Sequence, residues 1–275
     1  MMPADRPVLQ RVRATGRLSV KLSGDRTGLD RLYQEGAAKI RFPAPESDAL
    51  EAILINTAGG LTGGDRVAWS IEAAAGTHLA LTTQACEKIY RAGNGHAGVS
   101  VSLKAGMDAR LAWLPQETIL FDRSALVRKL DIDLEPGARA LLLEATIFGR
   151  QAMGEHVSAA TFHDRWRVCV DGRLVHAEDF RIGTDIAAQL ARPAIAAGGQ
   201  AVATVLMIAD RAGDMLDPAR AIIGDAGGAS HWRVGTTGKL LARLVAEDGY
   251  ALRARLVSLI RLLNGRAGLP KIWTS

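Results

Sequence analysis

Apolar residues recur at every second position along much of the chain, the signature of half-buried strands. Leu18, Val20 and Leu22 alternate with polar neighbours, as do Val67, Trp69 and Ile71, then Val99, Val101 and Leu103, then Leu130, Ile132 and Leu134. Val168 and Val170 run into Asp171-Gly172 and on to Leu174, and an Asp-Gly pair between such runs predicts a tight hairpin. Three of these strands are followed by a glycine and a second strand. Gly76 leads to Leu79 and Leu81, Gly106 to Ala109, Leu111 and Trp113, and Gly137 to Ala140 and Leu142. The glycines lie about 30 residues apart, a period at which stacked supersecondary units occur. The middle of the chain therefore predicts stacked β layers or a β-helix-like array. The alternative is a set of ordinary hairpins whose similarity is fortuitous.

Helices are expected late. Asp217-Pro218 pairs an N-cap with proline at the first helical position and predicts a short helix to Ile223. Residues 249–263 form the clearest helical pattern, with Leu252, Leu256, Leu259 and Leu263 on one face and Gly265 as a stop. Arg253, Arg255 and Arg261 lie away from the centre of that face. No linker or low-complexity run divides the chain, which reads as one domain over residues 1–275. The expected fold is dominated by β-structure, with irregular stacked or β-helix-like sheets and a few helices, one near the C-terminus.

Composition narrows the function classes. Hydrophobic residues make up 48% of the 275 and charged residues 23%, enough apolar material for a sizeable core. The formal net charge is +5, but the arginines are spread along the chain instead of forming a basic stripe with interleaved aromatics, which argues against nucleic-acid binding. Cys86 and Cys169 form no CxxC pattern and fit a reducing cytosol. No apolar leader follows Met1-Met2-Pro3, and the small-apolar stretch 194–209 is too short and too broken by Gly198, Gly199 and Gln200 to span a bilayer. A cytoplasmic protein without membrane contact is expected.

Catalytic patterns are sparse. The segment Asn56 to Arg66 carries Gly59, Gly60, Gly63 and Gly64, whose freedom at positive φ suits close backbone packing or a rigid interaction loop. It lacks the Gly-Lys-Ser/Thr ending of a phosphate loop. Gly93-x-Gly95-x-x-Gly98 precedes a strand where a dinucleotide fingerprint needs a helix, and Gly235 to Leu240 lacks phosphate-loop spacing. No serine has the setting of a nucleophile elbow. The six histidines make no HxH, HExxH or Cys–His cluster, and His176-Ala177-Glu178 lacks the Pro-Cys-x-x-Cys of a zinc deaminase. Carboxylates are more suggestive: Asp65 ends the glycine-rich loop, Glu87 and Glu117 sit in compact polar segments, and Glu144 shares a strand face with Leu142. A carboxylate turned inward is costly unless paired or hydrated, so a salt bridge is the competing reading.

Six segments in order resemble the UreD (also UreH) family of urease accessory proteins. They are Asn56 to Arg66 (NTAGGLTGGDR), Thr83 to Arg91 (TQACEKIYR), Trp113 to Phe121 (WLPQETILF), Gly149-Arg150 with Gly154-Glu155, Arg192-Pro193, and Leu269 to Trp273. Cys86 departs from the small apolar residue common in the family, and cysteine packs much like one. The resemblance implies an irregular β-helix-like body without catalysis or a tightly bound cofactor. It implies binding to the urease apoprotein and to UreF, which recruits the GTPase UreG, and a part in inserting nickel that UreE delivers to UreG. It further implies an internal water-filled route for Ni2+. Asp65, Glu117, Glu144 and Glu178 are the expected lining, since a conduit should hold the ion weakly through scattered oxygen ligands. Gly59, Gly60, Gly63 and Gly64 form the expected interaction loop. The segment from Arg253 to Trp273 is the expected UreF dock, through Arg253, Arg255, Arg261 and an exposed Trp273. A generic β-repeat scaffold, a basic nucleic-acid module and an enzyme using Glu117 and Asp122 as acid and base are the alternatives.

Overall fold

The computed structural model describes residues 10–44, 48–149, 154 and 157–274. The first strands are β1 (Arg13–Ser23), β2 (Arg26–Gly36), β3 (Ala38–Arg41), β4 (Leu50–Asn56), β5 (Arg66–Ala73), β6 (His78–Thr83) and β7 (Glu87–Ile89). There follow β8 (Ala97–Ala105), β9 (Arg110–Trp113), β10 (Thr118–Leu120), β11 (Ala125–Leu134), β12 (Arg139–Phe148), β13 (Thr161–Val170) and β14 (Arg173–Gly183). The last third holds α1 (Ile186–Ala191), β15 (Ala201–Ile208), α2 (Leu216–Ile223), β16 (Gly227–Val234), β17 (Thr237–Ala246) and α3 (Gly249–Asn264).

The strands make two sheets. One has seven strands in the order β14-β13-β11-β8-β5-β1-β2; the other has ten, eight of them in the order β16-β17-β15-β12-β9-β6-β4-β3, with β7 and β10 attached through β12. Within the first sheet β1, β5, β8, β11 and β13 run parallel. Within the second, β4, β6, β9 and β12 do the same. The chain thus coils: β5, β8 and β11 of the first sheet turn into β6, β9 and β12 of the second, and each of these circuits adds a strand to both. The repeat expected from Gly76, Gly106 and Gly137 is this coil, because each glycine lies in the turn that carries the chain from one sheet to the other. Asp171 and Gly172 have φ of 50° and 70°, the two positive values of a type I′ turn, and they join the antiparallel pair β13–β14.

Alternation decides which side chains meet between the sheets. Leu18, Val20, Trp69, Ile71, Val101, Leu103, Leu130 and Ile132 from the first sheet pack against Leu54, Leu79, Leu81, Leu111, Trp113 and Leu142 from the second. β12 is buried on both faces: Leu142 enters this inner core, while Leu141, Leu143 and Ala145 face outward beneath Leu252, Leu256, Leu259 and Ile260 of α3. Burying each such leucine contributes about 1.5–3 kcal/mol. α3 begins where the Asp248 carboxylate accepts from the Ala251 amide, and Gly265 ends it at φ 56°.

Two expectations need correction. α2 starts at Leu216 with Met215 at the cap, so Asp217 lies in the first turn and Pro218 one position further on. The turn Ala212–Met215 runs straight into the helix and displaces the cap, and proline is still tolerated there because that amide has no intrahelical partner. Trp273 is 2% exposed instead of forming an exposed aromatic end. Its indole N–H donates to the Leu114 carbonyl at 2.9 Å, and it packs in the outer core beneath α3. Arg150 and Glu155, part of one matched segment, lie outside the described residues.

Candidate functional site

In the largely apolar inner core, three strands bring charged side chains together at inward positions. On β11 Arg128 shares its face with Leu126, Leu130 and Ile132; on β13 Asp164 shares its face with Phe162, Trp166 and Val168. The two are direct partners in the parallel register. The guanidinium donates through Nε and Nη2 to the two Asp164 oxygens at 3.0 and 2.7 Å, a bidentate pair. From the facing sheet, Glu144 on β12 meets Arg128 Nη1 at 2.5 Å and accepts from the Trp113 indole at 2.9 Å. Arg128 Nη1 also donates to the Thr118 hydroxyl at 3.0 Å.

One buried guanidinium therefore faces two buried carboxylates. Burial raises the Glu144 carboxyl to about 7, against the pull of Arg128 and with the Asp164 charge adding to the rise. The pair of carboxylates holds Arg128 above its ordinary range despite its desolvation. A third inward carboxyl, Glu87 on β7, is raised to about 7 by burial, although the Asn56 amide donates to both its oxygens. Register links the two groups, since Glu87 lies opposite Thr118 and Thr118 opposite Thr146. A polar row thus crosses the inner core from Glu87 to Arg128.

Arg128, Glu144 and Asp164 line a cavity of about 110 Å3 whose other walls include Glu178, Phe180 and Arg243. Arg243 donates to Glu178 at 2.6 Å. His176, two residues before Glu178, is buried with no hydrogen-bond partner for Nε2, which lies 4.0 Å from Glu178. Its imidazole is lowered to about 4 by burial and by the charges of Lys239 and Arg243, so it is neutral at pH 7. The cavity offers carboxylate oxygens that are each already shared with an arginine. Among the described residues no group of three or more His, Cys, Asp or Glu side chains is placed to hold a metal ion.

Of the four carboxylates expected to line one path, the structure brings Glu144 and Glu178 to this cavity and sets the other two apart. Asp65 accepts from the Val12 and Thr62 amides at 2.8 Å each and holds the glycine-rich loop to β1. Glu117 precedes β10 with the opposite parity to Thr118 and Leu120, so it points outward beneath α3. There it accepts from Arg253 at 3.2 Å and from the Cys86 thiol at 3.4 Å. Burial, with Glu117 beside it, pushes that thiol up to about 12. Asp122 is engaged elsewhere, by the Ser158 and Ala159 amides, so it and Glu117 do not form an acid–base pair.

Several of the loop amides are also occupied. Leu61 N–H donates to Lys88 O and Gly64 N–H to His96 O. A Cβ on Gly63 would lie 2.2 Å from Asn94 O, and one on Gly60 2.8 Å from Lys88 O, so these glycines allow one circuit of the coil to touch the next. At the C-terminus Arg253 stacks on Trp273 at 4.5 Å as well as pairing with Glu117. Arg255 donates to Ile222 O, and Arg261 is exposed. Sequence reasoning passed over Arg128 and Asp164. The signal was available: each is a charged residue at the apolar parity of an alternating strand.

The chain matches the family model described as UreD urease accessory protein over residues 12–274. It is similar to urease accessory protein UreD 1 of Brucella abortus biovar 1 (strain 9-941), at 59% identity over 266 residues, covering 97% of this chain and 95% of that protein. It is equally similar to urease accessory protein UreD of Mesorhizobium japonicum, at 59% over 268 residues, covering 98% and 96%.

Proposed function

Because the chain belongs to the UreD family of urease accessory proteins, we propose that it is a non-catalytic chaperone of urease maturation that binds the apoprotein in the cytoplasm. It acts with UreF, which brings the GTPase UreG, and nickel is cargo that passes through its inner core. The observation that carries this reading is the charged cavity between the sheets, placed inside a chain whose similarity to UreD proteins extends over nearly its full length. A core that needed only stability would fill that space with aliphatic side chains, since a buried ion triad is often no more stable than its apolar replacement. The path narrows to Glu144 and Glu178, with Glu87 on the same polar row.

The test is urease activation in cells carrying the urease structural and accessory genes. Without this chain, nickel-dependent urease activity should be absent, and restoring the chain should restore it. Glu144→Gln and Glu178→Gln together should lower activation severalfold while the protein stays folded and still captures apo-urease and UreF. Activity that is indifferent to the chain sinks the maturation role. Normal activation by the double variant sinks only the conduit.

A further inference from the structure

The coil that builds the inner cavity also builds a cationic one on the opposite side of the second sheet. His78, Arg110 and Arg139 are the first residues of β6, β9 and β12. They occupy one register: Arg110 lies opposite His78 on one side and Arg139 on the other. Neighbouring parallel strands lie about 4.8 Å apart, so three basic side chains stand abreast. Their parity is that of Ala80, Ala112 and Leu141, the residues beneath α3, which places them on the helix-covered face just past the helix's end. Arg266, in the turn after α3, contributes a fourth basic group. Together with Leu263, Asn264 and Met207 these residues line a cavity of about 230 Å3.

The cavity lining contains no carboxylate, and among the described residues Arg110, Arg139 and Arg266 take part in no ion pair or side-chain hydrogen bond. Like charges directly across a sheet are destabilising, and an unneeded cluster would be relieved by any acidic neighbour. Burial and the adjacent Arg110 charge lower the His78 imidazole, with Asp48 the one carboxylate acting against them. The surrounding field is therefore net positive. Neighbouring guanidiniums offer donors suited to oxyanions, and the volume is below that of a drug-sized pocket.

From this juxtaposition we infer that the His78–Arg110–Arg139 ladder and Arg266 form a binding site for a small oxyanion of two or more negative charges, a phosphate or polycarboxylate group. The site does not depend on the urease reading. The test is calorimetric titration of the full chain with pyrophosphate and with citrate, using sodium chloride at matched ionic strength as control. Saturable binding of either anion, absent with chloride, is expected, and the tighter of the two identifies the source. Arg110→Gln with Arg139→Gln should weaken it by at least about tenfold, about 1.4 kcal/mol, since the variant removes two charged donors. Arg266→Gln, in an exposed turn, gives a second variant if the sheet variant misfolds, and should weaken binding in the same direction. The inference is overturned if neither anion binds saturably, or if binding by folded variants matches the parent.

Discussion

Arg128 holds Glu144 and Asp164 in a space that would otherwise be packed with aliphatic side chains, and that arrangement ties stability to pH. The Glu144 carboxyl sits at about 7 in the folded chain against 4.5 ordinarily, so between those values the folded state binds more protons than the unfolded one. Its contribution is fully present below pH 4.5 and is lost as pH rises to about 7. Glu87 has the same sign. His176, lowered to about 4 from 6.5, has the opposite sign: its contribution is lost as pH falls from 6.5 toward 4. Glu144→Gln removes one slope and leaves the others. The stability of the parent relative to this variant should fall by roughly 2–3 kcal/mol between pH 4.5 and 7. Urea denaturation at three pH values checks it, and a constant difference would mean that Glu144 stays ionised throughout.

At the scale of elements, α3 is fastened at both ends of the outer core. Its leucines cover β12, β15 and β17, and the segment after it returns so that Trp273 fills the space under Arg253. Arg253 pairs with Glu117 and stacks on Trp273 at once, so a residue expected to face a partner is spent on holding the C-terminus. Trp273→Ala should cost about 3–5 kcal/mol of stability by leaving a cavity, while the Leu114 carbonyl keeps the Thr82 hydroxyl as its donor. A loss below about 1 kcal/mol in denaturant titration would show that the tail is not an anchor. Arg255 and Arg261 remain the exposed part of that basic face.

For the whole molecule, stability depends on how circuits of the coil touch. Between the glycine-rich loop and residues 88–96 the backbones approach so closely that Gly63 has no room for a side chain. Gly63→Val should lower the thermal midpoint by several degrees, because a cost of about 1–3 kcal/mol from overpacking shifts a chain of this size by about 2–4 °C per kcal/mol. An unchanged midpoint in a thermal melt would mean that the two loops separate freely. The same stacking generates both polar cavities, since each circuit repeats a position and a repeated charge becomes a row.

Much of this was legible in the chain itself. Period-two alternation located the strands named from it and, with Asp171-Gly172, the hairpin turn, and leucines at helical spacing located the long terminal helix, because backbone geometry and solvent exclusion act locally on each segment. Parity marked Glu144 as a carboxylate turned toward the interior, and the same parity, unused for Arg128 and Asp164, would have marked them too. What alternation could not tell was which inward charges meet: Asp65 and Glu117 have the same composition-level credentials as Glu144 and Glu178. Only the folding of the coil separates them, by register between strands nearly forty residues apart and by which face of the second sheet each strand presents. Local pattern determined the elements and their inner sides; long-range pairing decided the sites, because a site is made of side chains that the sequence keeps far apart.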